Sequence, residues 1–183
     1  IITDPPYGIG HQTNYHQRGR DRLAKCQNYA PIIGDEKPFD PQWLLAYKKP
    51  TVLWGANHYA NKLPCSSGWL VWDKLRPDTL DQATCELAWT NFVKGVRRFR
   101  FLWHGMIRAN REPLTHPTQK PIELTSWILG LRWTPLGTML DPYAGTGSAL
   151  IAAVKAGRSA IGIEIVEEYC ECAARRLNVI RRG

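Results

Sequence analysis

No apolar run in this sequence reaches the roughly 18–20 residues that a membrane-spanning helix needs. The longest stretches, such as Gly147 to Val154, fall far short of it. No segment reads as a secretory leader. Cysteine is sparse and irregularly spaced: Cys26, Cys65, Cys85, Cys170 and Cys172 are odd in number, and none forms a C-x-x-C pair. Neither a disulfide framework nor a zinc site is expected, and the thiols read as reduced and mostly buried in a cytoplasmic protein. His11, His16, His58, His104 and His116 also lack metal-ligand spacing, so no metal is expected. Internal repeats and low-complexity tracts are missing too.

What is present suits one globular unit. The 183 residues are 44% apolar and 22% charged, enough apolar material for a core and too much for disorder. Acidic residues are outnumbered, 16 against 24 Lys plus Arg, and the formal charge is +8. A basic surface of this kind suits a polyanion. The basic residues fall in clusters: Arg18, Arg20, Arg22 and Lys25; then Lys94, Arg97, Arg98, Arg100, Arg108 and Arg111; then Arg175, Arg176, Arg181 and Arg182. Phe92, Phe99, Phe101 and Trp103 interleave with the second cluster. That mixture fits a nucleic-acid face, with cations on phosphates and rings on bases. It equally fits an amphipathic strand with aromatics in and arginines out.

Ile1-Ile2-Thr3 reads as the end of a buried strand that runs directly into Asp4-Pro5-Pro6-Tyr7. A strand at the first residue leads to the expectation that further sequence lies upstream. A mobile basic loop is expected over 8–32. Asp40-Pro41 predicts a helix to about Tyr47, with Asp40 as N-cap. Strands are expected at Thr51–Trp54, Trp69–Trp72, Glu86–Thr90 and Arg98–Trp103, with a helical turn at Asn57–Lys62. A helix opens at Pro121 and runs to about Leu131. The last fifty residues read as strand, helix, strand, helix: Thr138–Leu140, Ser148–Ala156, Ser159–Ile163, and an amphipathic helix with Val166, Tyr169, Cys170, Ala173, Ala174 and Leu177 on its apolar face.

The first of those strands ends at Asp141, and Pro142-Tyr143-Ala144-Gly145-Thr146-Gly147-Ser148 forms the turn into the helix. Glycines there let the backbone approach a ligand closely. Glu164 ends the next strand, 19 residues after Gly145, where an acid is placed for ribose hydroxyls. Leu150 stands where a dinucleotide fingerprint has its third glycine, and Asp141 would repel a pyrophosphate. A cofactor with an ammonium, a sulfonium and a ribose, as in S-adenosylmethionine, suits that carboxylate better.

Asp4-Pro5-Pro6-Tyr7 has a chemical reading of its own. An exocyclic amine of adenine or cytosine is a poor nucleophile, because its lone pair is delocalised into the ring. Acceptors aimed at its N–H bonds, the Asp4 carboxylate and the Pro5 carbonyl, would draw it toward tetrahedral geometry. Successive prolines stiffen that corner. Tyr7 offers a ring for an extracted base.

Three blocks then carry a resemblance. Asp4-Pro5-Pro6-Tyr7, His116-Pro117-Thr118-Gln119-Lys120-Pro121, and Asp141 to Ser148 together resemble the motifs D-P-P-Y, H-P-T-Q-K-P and D-P-F-x-G-x-G-T, with Tyr for Phe and Ser for Thr. These belong to the beta-group DNA amino-methyltransferases that use S-adenosylmethionine, in which the catalytic motif precedes the cofactor motif. The resemblance implies an α/β, Rossmann-like methyltransferase fold, with a mainly parallel twisted sheet and an antiparallel hairpin. It implies one methyltransferase domain over 1–183, with a catalytic part in 1–115 and a cofactor part in 116–183. Asp4, Pro5, Pro6 and Tyr7 would be catalytic. Asp141, Pro142, Tyr143, Gly145, Gly147 and Ser148 would surround the methionine part of the cofactor. Thr118, Gln119 and Lys120 would reach its carboxylate, and Glu164 its ribose. Thr118 is also expected to cap the following helix. Arg18, Arg20, Arg22, Lys25, Arg108 and Arg111 would bind DNA.

The sequence departs from that family in two ways. Relatives carry a strand and an adenine-contacting acid some two dozen residues before D-P-P-Y, so one wall of the pocket is expected to be missing here. Relatives with defined specificity also carry a long recognition region before H-P-T-Q-K-P, where this chain has only about 105–115. Relaxed or short-site specificity, or a recognition element lent by a second subunit such as a homodimer partner, follows as an expectation. Asp at position 4 goes in this family with adenine N6. The alternatives are cytosine N4, a non-catalytic nucleic-acid-binding remnant, and methylation of RNA or a protein amide. A dehydrogenase is disfavoured by Asp141.

Overall fold

Strand β1 (Ile2–Thr3) lies parallel to β2 (Val52–Trp54), with Thr3 opposite Leu53. The computed structural model describes residues 1–11, 32–77, 79, 83–104, 107–109, 116 and 118–181. Most of the loop expected over 8–32 lies outside them, as do Arg18, Arg20, Arg22, Lys25, Cys26 and Arg111.

Five strands form one sheet in the order β1-β2-β4-β3-β5, with β3 at Gly68–Asp73, β4 at Cys85–Thr90 and β5 at Val96–Arg100. Strand β4 runs against both β2 and β3, while β3 and β5 are parallel. The expected antiparallel hairpin is thus β3–β4. Their full-length pairing sets Trp69 opposite Trp89 and Trp72 opposite Glu86. The strand expected over Arg98–Trp103 divides: β5 ends at Arg100, and Trp103–His104 (β6) pairs with Ile107–Arg108 (β7).

Helix α1 is short, Gln42–Leu45. It starts one residue later than the sequence suggests, with Pro41 in the cap position and Asp40 accepting the Gln42 N–H at 3.2 Å. Helix α2 covers Ile122–Gly130 and buries Leu124, Thr125, Ile128 and Leu129. Its cap is Pro121, with no side-chain cap bond, so Thr118 does not cap it as expected. Proline supplies the fixed entry geometry by itself, and the missing N–H costs nothing in the first turn.

The carboxyl-terminal unit follows the expected order. Strand β8 (Met139–Asp141), helix α3 (Ser148–Lys155) and strand β9 (Ala160–Gly162) form a β-α-β unit with parallel strands, and helix α4 (Glu167–Arg181) closes it. Small residues, Ala149, Ala152 and Ala153, let α3 approach α2 and the strands closely. Strand β8 packs beside β1, which brings the two sheets together. The larger core cluster accordingly draws Ile2, Val52 and Leu70 from the first half of the chain and Leu124, Met139 and Leu150 from the second. Each such side chain contributes about 1.5–3 kcal/mol by leaving water.

Helix α4 docks a narrower stripe than its periodicity implies. Ala173 is buried, and Tyr169, Cys172, Arg176, Leu177 and Ile180 are half-buried at helical spacing. Cys170 and Ala174, expected on the inner face, are exposed, because α4 has α3 as its main helical neighbour and needs only one stripe. The thiols are also more open than expected: Cys65, Cys85 and Cys170 are exposed and Cys172 half-buried. Cys65 lies in a loop, Cys85 begins β4 at its outer end, and Cys170 faces solvent on α4.

The mixed basic and aromatic segment resolves into the amphipathic strand. Arg98 and Arg100 are exposed, and Phe99 is half-buried. Its ring stacks on Phe101 at 5.7 Å and on Trp127 at 5.3 Å between centroids. Trp103 is buried in the core, with Arg108 over its ring at 5.3 Å.

Candidate active site

Two corners define the site. β1 delivers Asp4-Pro5-Pro6-Tyr7 at its carboxyl end, and β8 delivers Asp141 at its own. They meet through a buried hydrogen bond, in which the Thr3 hydroxyl donates to Asp141 Oδ1 at 2.6 Å. Tyr143 donates its backbone N–H to the same oxygen at 3.2 Å. Aromatic rings line the join: Phe39 stands edge-on to Tyr59 at 5.1 Å and to Tyr143 at 5.8 Å, and Trp43 meets Tyr143 at 6.3 Å.

At the first corner, Tyr7 donates its hydroxyl to Asp4 Oδ1 in a short hydrogen bond. Lys120 Nζ lies 2.5 Å from Asp4 Oδ2 and 3.3 Å from the Tyr7 oxygen. The same ammonium lies 3.0 Å from Glu86 Oε2, and Glu86 Oε1 is 2.6 Å from Lys74 Nζ. Lys120, expected at the cofactor's carboxylate, is therefore in ion pairs with the two acids. Burial pushes the Asp4 carboxyl above its usual range against the pull of Lys120, and the neighbouring Glu86 charge adds to the rise. Burial would raise Glu86 as well, yet Lys120 and Lys74 hold it down at about 2. Burial and the Asp4 charge together push the Tyr7 phenol well up, so it stays a donor.

Tyr7 is placed by residues the motif does not contain. Its ring stacks on His58 at 5.0 Å with 14° between planes. Its edge fills the space beside Gly55, where φ is +67° and a Cβ would sit 1.9 Å from Tyr7 Cε1. Only glycine fits both that backbone and that contact. The buried Asp35 carboxylate then gathers the turn after Tyr7, accepting the N–H of Gly8 at 2.8 Å, Ile9 at 3.3 Å and His11 at 2.6 Å.

At the second corner, the glycine turn is held from three sides. Glu164 accepts the Gly145 N–H at 2.7 Å and the Val166 N–H at 2.9 Å. Thr146 donates to Gln119 Oε1 at 3.3 Å. Arg176 Nη1 donates to the Thr146 carbonyl at 2.5 Å and to its hydroxyl oxygen at 2.9 Å. Arg176, counted above among the surface cations, thus faces inward. Gly147 takes a left-handed conformation, φ +80°, and a Cβ there would press on Ala173 of α4 at 2.9 Å. Above Gly145 there is open space. Pro142 and Ser148 are buried in the turn, and Thr118 donates its N–H to His116 Nδ1 at 3.2 Å. Burial and the Lys120 charge bring His116 down to about 4, which keeps that nitrogen an acceptor. Burial raises Asp141 to about 7, against the hydrogen bonds from Thr3 and Tyr143.

Glu86, Lys74, Asp35, Gly55, His58 and Arg176 are the contributors that sequence patterns do not reveal. Each lies far along the chain from the motif it serves. A wide surface depression lined by Ser126, Leu129, Gly137, Lys155 and Arg158 lies at the opposite, amino-terminal ends of β8 and β9, away from this chemistry. No helix among the described residues is long and apolar enough to cross a membrane.

Comparison with known proteins bears on the fold and the family. The DNA adenine methyltransferase YhdJ of Escherichia coli (strain K12) is 44% identical over 64 residues, covering 35% of this chain and 22% of that protein. The chain spans less than a third of the length of the curated relatives it matches. Among solved structures, the M1.HpyAVI–SAM complex superposes with a TM-score of 0.52 at 21% identity, covering 96% of this chain and 87% of that one. PvuII DNA methyltransferase (cytosine-N4-specific) superposes with a TM-score of 0.57 at 11% identity, covering 96% and 78%. At these identities the likeness establishes the fold, which is that of Rossmann-like methyltransferases. The family model described as DNA methylase matches residues 43–175, and with that match over most of its length the chain belongs to the DNA methylase family.

Proposed function

We propose that this chain binds S-adenosylmethionine and methylates the exocyclic N6 amine of adenine in DNA, as one methyltransferase unit with 1–115 handling the base and 116–183 the cofactor. The observation that carries the reading is the Thr3–Asp141 hydrogen bond at 2.6 Å. It joins the carboxyl ends of β1 and β8, which pack against each other, and this supports a reading in which the Asp4 corner and the glycine turn act together.

The donor set fits a cationic cofactor without phosphate. Asp4, Asp141 and Glu164 stand at or just past the carboxyl ends of β1, β8 and β9. The open space above Gly145 leaves room for a ligand against the turn. Asp141, Pro142, Tyr143, Gly145, Gly147 and Ser148 would hold the methionine part, Glu164 the ribose, and Thr118 and Gln119 the cofactor's carboxylate, with Gln119 bonded to Thr146 of the turn. When bound, the cofactor supplies an electrophilic methyl group on a sulfonium.

The chain's residues do the rest. Asp4 and the Pro5 carbonyl accept the amine's two N–H bonds and concentrate its lone pair on nitrogen. Pro5 and Pro6 keep that carbonyl in place. Tyr7, backed by His58, holds the extracted ring and gives its hydroxyl to Asp4. Such acceptors, fixed before the reaction, act on charge as it develops. The likeness to an adenine methyltransferase over 64 residues supports adenine as the target. Arg18, Arg20, Arg22, Lys25, Arg108 and Arg111 supply candidate phosphate contacts, and a second subunit remains part of the proposal for target recognition.

The test is incubation of the full-length protein with labelled cofactor and unmethylated genomic DNA, followed by nucleoside analysis. N6-methyl-2′-deoxyadenosine is expected. N4-methyl-2′-deoxycytidine would move the target to cytosine, and no labelled nucleoside would overturn the activity.

A further inference from the structure

Both oxygens of Asp4 are already engaged: Oδ1 by the Tyr7 hydroxyl, Oδ2 by Lys120 at 2.5 Å. An ammonium at that distance fills the space on Oδ2 and directs N–H donors where a target amine would bring its own. Each carboxylate oxygen has a second lone pair, but an ammonium at 2.5 Å crowds Oδ2 and competes for its charge, so the amine is accepted best when one of these donors withdraws. Tyr7 has no second carboxylate within its hydrogen bonds, whereas Lys120 is already 3.0 Å from Glu86. Glu86 lies on β4, half-buried, and its other oxygen is tied to Lys74 at 2.6 Å. It is a fixed, charged acceptor that can keep a buried ammonium paired.

We propose that Lys120 occupies the amine-accepting oxygen of Asp4 in the base-free enzyme and is handed over to Glu86 when the target amine enters. Glu86 is then a positioning residue for base capture. The inference rests on the function proposed above and deepens it. Without Glu86, withdrawal of Lys120 would strand an unpaired buried cation, a costly state. The fraction of molecules with a free Asp4 would fall, and apparent affinity for the base falls in proportion.

The charged and titratable groups facing Asp4 are Lys120, Glu86 and Tyr7, with Tyr59 and Asp141 acting at longer range and Lys74 acting through Glu86. Lys120 favours the ionised Asp4, and Glu86 opposes it. Their removal therefore moves Asp4 in opposite directions.

The experiment is steady-state methyl transfer by the full-length protein on unmethylated genomic DNA, with cofactor affinity measured separately by calorimetry. Glu86→Gln is expected to raise KM for DNA about tenfold, in line with a smaller competent fraction, while cofactor affinity stays within about twofold of wild type. The acidic limb of its kcat/KM profile should shift to lower pH, because a negative neighbour of Asp4 has gone. Glu86→Asp should recover most of the loss. Lys74→Met gives a second reading of opposite sign: it leaves Glu86 with one cation, draws Lys120 toward it, and should lower KM for DNA, whether or not Glu86→Gln folds. An unchanged KM in Glu86→Gln, a raised KM in Lys74→Met, or an acidic limb moved upward in Glu86→Gln would overturn the handover while an active wild type leaves the function standing. A wild type that methylates nothing overturns both.

Discussion

Thr3 and Asp141 are 138 positions apart and share a buried hydrogen bond of 2.6 Å. That bond sits between the acid that ends β8 and the residue just before Asp4, and in the proposed function it ties the cofactor side to the base side. Asp141 carries a cost for the arrangement. Burial raises its carboxyl to about 7, so the folded protein holds a proton there that the unfolded chain releases near the ordinary carboxylate range. Stability is therefore full below that ordinary range and declines as pH rises through about 7. A cationic ligand reverses the preference, because it favours the ionised form.

Cofactor affinity should accordingly strengthen as pH rises toward about 7, with a proton released on binding below that pH as linkage requires. Calorimetry in buffers of different ionisation enthalpy measures that release. Asp141→Asn should abolish both the proton release and the pH dependence. A pH-dependent affinity that survives the substitution would place the ligand's ammonium elsewhere.

Gly55→Ala should act on the base side alone. The new Cβ would overlap the Tyr7 ring, and φ +67° is unfavourable to alanine besides. Tyr7 must swing off His58, and misplacement on this scale costs about a hundredfold in turnover. Cofactor affinity should change by less than about twofold, since no cofactor group touches Gly55 in this reading. Parallel loss of both would mean that the two corners are mechanically coupled.

The legible part of this protein was what short segments specify on their own. Asp4 to Tyr7 and Asp141 to Ser148 each combine a strand end, a turn and chemically apt side chains within eight residues, so a short pattern is enough to point to both corners of the candidate site. Glu86 lay hidden because its strand reads as ordinary apolar β structure, and only the pairing of β4 between β2 and β3 brings it to Lys120. Gly55 and His58 follow a buried strand and gain meaning only from a ring contributed by β1's corner. Arg176 was read by charge as surface, whereas its reach to Thr146 depends on how α4 docks. The same dependence on docking exposed Cys170 and Ala174, which helical periodicity alone would have buried.

Arg176 should prove to be a cofactor residue acting through the backbone. Its guanidinium holds the Thr146 carbonyl and hydroxyl and so fixes the turn between Gly145 and Gly147. Hydrogen bonds to a charged donor contribute about 1.5–3 kcal/mol each. Arg176→Met should weaken cofactor binding about tenfold or more by that measure, and lower the melting temperature of the protein. Because Arg176 faces inward, the slope of DNA affinity against salt should stay as in wild type. A reduced slope would return Arg176 to the DNA face.

The salt slope also tests where DNA binds. Each phosphate neutralised by a Lys or Arg adds about 0.9 to the slope of log affinity against log salt. If Arg18, Arg20 and Arg22 each contact a phosphate, replacing all three by alanine should lower the slope by about 2.7 on that basis. Arg100 supplies the control. It is exposed but paired with Asp73 at 3.2 Å on the far strand of the sheet, so Arg100→Ala should leave the slope unchanged. Titration of fluorescent duplex DNA at several salt concentrations gives both slopes. The opposite pattern, with Arg100 changing the slope and the three arginines not, would transfer the DNA face to β5.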